Sequence, residues 1–471
     1  MIGRKAEIDE LNEAYNSGRP EFITVYGRRR VGKTYLVKTL YEKEFSFFFT
    51  GIASSDYKET LLRFKEALEE YSSAKQEPLK DWFEAFRRLR SLLERSRRKR
   101  KVVFLDELPW MDTPNSNFVK ALEYFWNSWA SSRNDIMLVV CGSAASWVID
   151  KLLSDHGGLY GRVTRRIKVE PFSLGECEQY YLENGFIYDR KQIVEGYMIL
   201  GGIPYYLNML RKREGIVKNI ERLCFAKGGA LRTEFSHVFA SLFRNADRHQ
   251  SVVCALSTKA MGLSRDEIIK LSGIANGGNF TTVIAELEES GFIRSYTPFS
   301  GKSRGTLYQL IDPYTLFYLK AIVGSPEDDK TFWAKYRESA GFHSWSGYAF
   351  EQVCFSHMPQ IKKALGISGV ISHTYSWRSR ESEPGAQVDI VIDRNDGIVS
   401  LCEVKYSDSE YVITKSVDSN LRRKRESFKM ETKTRKAVQI VMITMNGLKQ
   451  NMYYDTVQAE VKATNLFGEI D

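Results

Sequence analysis

The chain has 471 residues, with 68 Lys and Arg against 59 Asp and Glu, a formal charge of +9. Its 43% apolar and 27% charged residues exclude a collagen-like, coiled-coil or mostly disordered protein. No run approaches the ~18 consecutive apolar residues of a membrane helix, and one core stops growing near ~250–300 residues, so two to four domains are expected.

Met1 to Glu10 is charged at once and has no apolar stretch, so a secretory signal is not expected and the cytoplasm is the expected compartment. The cysteines, Cys141, Cys177, Cys224, Cys254, Cys354 and Cys402, form no CxxC pair, and no HxxxH spacing occurs. Reduced thiols and no structural zinc follow.

Phe22 to Tyr26 is a short β-branched and aromatic run that predicts a buried strand. It runs into Gly27-Arg28-Arg29-Arg30-Val31-Gly32-Lys33-Thr34, which fits GxxxxGK[ST], and Tyr35 to Tyr41 then opens a helix. The two glycines let backbone N–H groups curl around a phosphate chain at a helix N-terminus. Lys33 is the candidate for the β- and γ-phosphates of ATP, and Thr34 for Mg²⁺. Val102 to Leu105 predicts a second strand, ending in Asp106, a candidate Mg²⁺ residue, and Glu107, a candidate general base. A third strand, Ile136 to Cys141, ends in Gly142-Ser143. Ser143 is either a sensor of the γ-phosphate or part of an ordinary turn.

Ile2-Gly3-Arg4 with Glu7 and Leu11, YGRRRVGKT, FLDE, the CGS strand, Leu159 to Arg162 and Gly202-Ile203-Pro204 together resemble the archaeal-type P-loop ATPases, relatives of the AAA+ and STAND switches. The resemblance covers roughly residues 1–235. It implies an ASCE sheet in which the catalytic-acid strand lies between the P-loop strand and its neighbour, followed by a helical lid. It also implies that Pro204 lies near the adenine and that Gly3 and Arg4 flank the base on its other side; residues 27–34 and Tyr35, which follows the loop, are the expected nucleotide contacts. Arg162 is either a phosphate-reaching arginine or a surface residue.

From about 251 to 312, three short helices (Val253 to Met261, Arg265 to Leu271, Phe280 to Ser290) precede a hairpin around Ser300 to Gly305, a winged-helix arrangement. The third helix carries Glu286, Glu288 and Glu289, which repel phosphate, so a structural or protein-contact role is favoured over DNA reading; Lys302 and Arg304 in the wing remain candidates for a backbone contact. Residues 313–340 predict a helical connector.

Val388 to Asp393 predicts a strand, Asn395-Asp396-Gly397 a tight turn, and Ile398 to Lys405 the returning strand. Glu403 and Lys405 are two apart and share a face, and the turn can bring Asp389 beside them. Two carboxylates and a lysine at a hairpin suit Mg²⁺-dependent phosphodiester hydrolysis. The D-x13-E-x-K spacing resembles the PD-(D/E)xK nucleases, with Val388 where the motif's proline would stand. The resemblance implies a first helix at Trp345 to Glu351, with Glu351 completing the metal site of Asp389 and Glu403. Across nearly the whole chain the sequence resembles prokaryotic ATPases that end in a nuclease-like domain.

The expected class is therefore α/β: a P-loop ATPase core (1–170), helical lid (171–245), winged-helix-like domain (246–312), connector (313–340) and restriction-endonuclease-like domain (341–471). ATP and Mg²⁺ are the expected cofactors. Two basic runs suggest a DNA partner: Arg87 to Lys101, with nine basic residues and one acid, and Arg422 to Lys436, with eight and two. The first run reads equally well as a solvated helix face, and a second copy of the chain is the other candidate partner. The competing reading is a signalling or chaperone-like ATPase whose C-terminal domain only binds DNA or protein.

Overall fold

Strands whose side chains are apolar on both faces need cover on both faces, which parallel sheets flanked by helices provide. The computed structural model describes residues 1–471 apart from 54–55, 144, 154–158, 244, 297–298, 300–305, 328, 330, 380–384 and 470–471. In it, β1 (Glu21–Tyr26), β2 (Phe45–Thr50), β3 (Lys101–Asp106), β4 (Ile136–Gly142) and β5 (Arg165–Lys168) form a parallel sheet in the order β2-β3-β4-β1-β5. One face packs on the helices Tyr57–Ser72, Trp82–Arg95 and Phe118–Ser128, where Trp82 is fully buried with Phe64 and Phe118 rings at 5.3 and 4.9 Å. The other face packs on Leu11 and Ala14 of helix Lys5–Asn16 and on Leu36 and Val37 of helix Lys33–Tyr41.

One topological expectation is corrected. The acid-bearing strand does not lie beside β1; β4 is inserted between β1 and β3. Asp106 still reaches the phosphate loop because β4 ends in the small residues Gly142 and Ser143. A Cβ on Gly142 would stand 3.0–3.2 Å from Val148 and Pro109, tighter than an ordinary contact.

Capping boxes at Ser173/Glu176 and Asp189/Gln192 start the helices Leu174–Glu183 and Arg190–Leu200. Helices Ala246–Ser257, Arg265–Ser272 and Gly278–Glu289 follow, with a small antiparallel sheet of β6 (Leu263–Ser264), β7 (Ile293–Tyr296) and β8 (Leu307–Leu310) in the order β6-β8-β7. The first of these helices starts and ends earlier than the periodicity suggests. Its exit turns at Gly262 (φ 83°), where a Cβ would meet the Tyr308 carbonyl at 2.6 Å. Lys302 and Arg304 lie outside the described residues. Pro313–Phe317 and Phe332–Arg337 are helical and bury Phe317 and Trp333.

The C-terminal sheet is mixed, in the order β13-β12-β11-β10-β9, built from β9 (Ser372–Arg378), β10 (Gln387–Arg394), β11 (Ile398–Lys405), β12 (Ala437–Thr444) and β13 (Ala459–Lys462). β10 and β11 are antiparallel across the turn at Gly397 (φ 85°). The parallel β11–β12 pair is bridged by helix Lys415–Thr432. Among the described residues no helix is long and apolar enough to cross a membrane. All six cysteines are free, five of them buried and Cys254 exposed.

Part of the first basic run is paired within the chain or used inside the fold. Arg88 pairs with Glu84 (2.6 Å), Arg90 with Glu94 (2.9 Å), Arg98 with Glu44 (3.2 Å) and Lys101 with Asp135. Arg100 is buried and donates to the carbonyls of Ala14 (2.7 Å), Arg19 (2.8 Å) and Asn134 (2.7 Å). Arg87, Arg90, Arg95, Arg97, Arg98 and Lys99 are exposed. Removing a charged donor from three buried carbonyls costs about 2 kcal/mol or more. Arg100→Ala should therefore lower the midpoint of denaturant unfolding, whereas Arg97→Ala should leave it unchanged.

Candidate functional site

The loop after β1 curls because its glycines allow it. Gly27 (φ 134°) lies so close to Val169 that a Cβ would stand 2.3 Å from its carbonyl oxygen, and Gly32 (φ 94°) begins helix Lys33–Tyr41. Lys33 is buried, and its Nζ donates to the carbonyls of Gly27 (2.9 Å) and Arg28 (2.8 Å), which hold the ammonium over the loop. Burial lowers its pKa from the ordinary lysine value, against the pull of Asp106 and Glu107. Arg29 is partly exposed beside Lys33 and has no ion pair among the described residues. Val31 is buried and Tyr35 is 66% exposed.

Thr34 Oγ1 donates to Asp106 Oδ2 at 2.8 Å, across the end of β4. Asp106 Oδ1 is buried without a hydrogen-bond partner, although the Cys141 thiol lies beside the carboxylate. Burial raises this carboxyl above its ordinary value and Glu107 adds to the rise. An orphaned buried carboxylate oxygen next to a hydroxyl is a hard oxygen pair suited to Mg²⁺, so these two residues fit the ion. Glu107 has φ 54°, an uncommon conformation for a residue with a side chain. It is held there by Ser143, whose backbone N donates to Oε2 at 3.2 Å and whose hydroxyl donates to Oε1. Gly51 makes room: a Cβ there would lie 2.5 Å from the Glu107 carbonyl.

The N-terminal box closes on the same loop. Arg4 Nη2 donates to the Val31 carbonyl at 3.0 Å, and its guanidinium lies 4.9 Å from the Phe172 ring centre. Gly3 leaves no room for a Cβ beside Glu176, and Gly202 none beside the Phe172 carbonyl; Pro204 is the first residue of helix Pro204–Leu207. The structure thus gathers Gly3, Arg4, residues 27–35, Asp106, Glu107, Ser143 and the Gly202–Pro204 turn around one edge of the sheet. Arg162 does not join them; it is exposed in a turn.

The C-terminal residues converge differently. β10 carries a register shift between Val388 and Val391, so Asp389 sits at a bulge, a device that re-aims a side chain. Asp389 is one step beyond the Ile390–Cys402 pair and therefore opposite Glu403. Its Oδ2 accepts the Val404 N–H at 2.9 Å. Lys405 Nζ donates to Glu403 Oε1 at 2.9 Å, and Lys424, from helix Lys415–Thr432, donates to both Glu403 oxygens at 2.7 Å. Burial and Glu403 raise the Asp389 pKa, and Lys405 opposes the rise. Burial and Asp389 raise that of Glu351, and Arg294 opposes it.

The expected three-carboxylate metal site is not assembled. Among the described residues no three His, Cys, Asp or Glu side chains form a group able to hold a metal ion. Glu403 is covered by two ammonium groups, and Glu351, beside Asp389, also faces Arg294 and Gln309 of the β7–β8 hairpin. As placed, these residues do not fit a bound divalent ion. Sequence reasoning missed Lys424, hidden within a basic run, and Arg294, which is paired with Gln309 across β7 and β8 and bonds it at 2.5 Å. No spacing signal links either one to Glu403 or Glu351. In the second basic run, Arg422 pairs with Asp418 and Lys436 with Asp393.

Residues 1–210 match the family model described as an ATPase domain predominantly from Archaea. An uncharacterized protein of Methanocaldococcus jannaschii is 24% identical over 430 residues, 90% of this chain and 91% of that one. An uncharacterized ATP-binding protein of the same organism is 42% identical over 44 residues, 9% of this chain and 75% of that one. Among solved structures, the Walker-type ATPase of Pyrococcus abyssi aligns with a TM-score of 0.49 at 18% identity, over 68% of this chain and 96% of that one. The ORC2 protein of Aeropyrum pernix aligns with a TM-score of 0.41 at 12% identity, over 72% and 96%. The phosphate loop, the Thr34–Asp106 contact and the Glu107–Ser143 contact all fall inside the stretch, residues 1–210, that is similar to that family model.

Proposed function

We propose that the chain is an ATP-hydrolysing switch coupled to a C-terminal nuclease-like domain that meets DNA. The observation that carries the first half is the Thr34–Asp106 hydrogen bond beside a serine-held Glu107. Backbone N–H groups of residues 27–34 and the Lys33 ammonium bind and orient the triphosphate. Thr34 and Asp106 would hold Mg²⁺, which supplies charge neutralisation of the phosphates when bound. Glu107 takes the proton of the attacking water. Ser143 keeps Glu107 aimed, and its release is what frees the carboxylate for that proton.

The second half rests on the Asp389–Glu403–Lys405 face, with helix Lys415–Thr432 alongside as a basic surface for DNA phosphates. A second reading, in which this domain is only a binding platform, is favoured by one observation: Lys424 covers both oxygens of Glu403. Metal-assisted cleavage requires that carboxylate to be free, so the two readings differ in whether Lys424 leaves it.

Lys33→Ala should abolish tight ATP binding, and Glu107→Gln should bind ATP but turn it over at least about 100-fold more slowly, the usual worth of a general base. Phosphate release measured beside nucleotide titration separates the two effects; wild-type turnover by Glu107→Gln would remove the base assignment. Incubation of wild type and Lys424→Met with Mn²⁺ and duplex or single-stranded DNA decides the second half. The nuclease reading expects cleavage that Asp389→Ala abolishes while ATP turnover persists. No cleavage by either protein leaves the binding platform. For DNA binding, Arg423→Glu with Lys429→Glu should weaken affinity for all sequences alike. It should also flatten the log–log salt dependence by ~0.9 for each lost phosphate contact on duplex DNA.

A further inference from the structure

The phosphate loop carries three consecutive arginines, and two of them point away from the phosphate side into other parts of the chain. Arg28 is buried and forms an ion pair with Asp312, which is fully buried just past the end of β8. The guanidinium also lies 5.3 Å from the Phe292 ring centre. Asp312 has no freedom to follow a moving partner, because its Oδ2 caps helix Pro313–Phe317 through the Thr315 N–H at 2.8 Å. Arg30 adopts φ 71°, unusual for a residue with a side chain. It is held by an ion pair with the buried Glu234 and by the Tyr205 ring at 4.0 Å, and Glu234 is itself fixed by the Tyr206 hydroxyl at 3.0 Å. Both carboxylates lie well outside the GxxxxGK[ST] stretch.

We infer that Asp312 and Glu234 are positioning residues for the phosphate loop, so that docking of the lid and middle domain sets the affinity for a nucleoside triphosphate. This rests on reading residues 27–34 as the triphosphate loop. The N–H groups that receive phosphate belong to the residues whose side chains these carboxylates grip. A buried guanidinium without its carboxylate seeks another partner or water and carries its peptide with it. The left-handed turn at Arg30 likewise loses its support when Glu234 loses its charge.

Coupling of this kind is reciprocal: a nucleotide that favours the gripped loop favours the docked middle domain by the same factor. The C-terminal cluster rests on the same hairpin. The Leu310 carbonyl, two residues before Asp312, accepts the Tyr348 hydroxyl at 2.6 Å, and Arg294 stacks on Phe355 at 3.4 Å. Tyr348 and Phe355 flank Glu351 on helix Ala340–Ser356. The Arg28–Asp312 pair and the support of Glu351 are thus two ends of one short segment.

The test uses the full chain, fluorescent ATP and hydrogen exchange. Asp312→Asn and Glu234→Gln should each weaken ATP binding by about 10-fold, within the usual range of coupling between sites. Both should still unfold cooperatively without nucleotide. In wild type, saturating ATP should slow amide exchange in residues 293–296 and 307–310. Asp312→Asn should lose that protection, a change that a merely structural role would not produce, and Arg28→Lys should retain part of it. If Asp312→Asn does not fold, Glu234→Gln decides, since it leaves the Arg28–Asp312 pair in place. Wild type that binds ATP, with folded variants that bind within about twofold and keep the same protection, overturns the inference alone. Wild type that does not bind ATP overturns the triphosphate reading and the inference with it.

Discussion

Parallel pairing of β1, β4 and β3 brings three strand ends to one edge of a sheet, and the chemistry of the N-terminal half depends on that alignment. Each strand delivers one part: β1 the glycine loop, β3 Asp106 and Glu107, and β4 Ser143. The parts meet although the bonded partners are 72 and 36 residues apart in sequence, as the Thr34–Asp106 and Ser143–Glu107 hydrogen bonds record. The sheet is apolar on both faces and packed on both, so the edge is rigid. A rigid edge allows strain to be kept at the left-handed Glu107, where a serine restrains the carboxylate.

The C-terminal sheet solves a different problem. Its hairpin brings two carboxylates to facing positions, where their mutual repulsion and burial raise the pKa of Asp389. Lysines relieve that repulsion: Lys405 from the same strand and Lys424 from the neighbouring helix. Charge balance inside the cluster is therefore met by the protein itself.

Between the two lies a middle segment whose charged residues face inward at both ends. Asp312 meets the phosphate loop and Arg294 meets the Glu351 region. Buried ion pairs contribute little net stability, because desolvation cancels much of the attraction, but they are costly to break on one side. They suit a joint that must be specific about which segments touch.

Much of this was legible from residues alone. GRRRVGKT after an apolar strand announces a phosphate loop because only that backbone, with glycine at 27 and 32, can curl so tightly. The Asn395-Asp396-Gly397 turn and the alternation of Glu403 and Lys405 announce a hairpin with a shared polar face, because strand periodicity is local. Strand order was not legible: that β4 stands between β1 and β3 is a matter of long-range pairing, as is the partner of any buried charge. The basic run from Arg87 to Lys101 reads equally well as a DNA-facing surface and as a solvated helix face, and neither reading foresees that Arg100 serves three carbonyls that only tertiary packing brings to it. The bulge that aims Asp389, the lysine that covers Glu403 and the carboxylates that grip Arg28 and Arg30 lie beyond any spacing rule. By itself the sequence determined the local turns, the strand faces and the chemistry of the loop. The tertiary structure decided which charges neutralise one another, because electrostatic partners are chosen by distance in space and by exclusion of water, and neither is written along the chain.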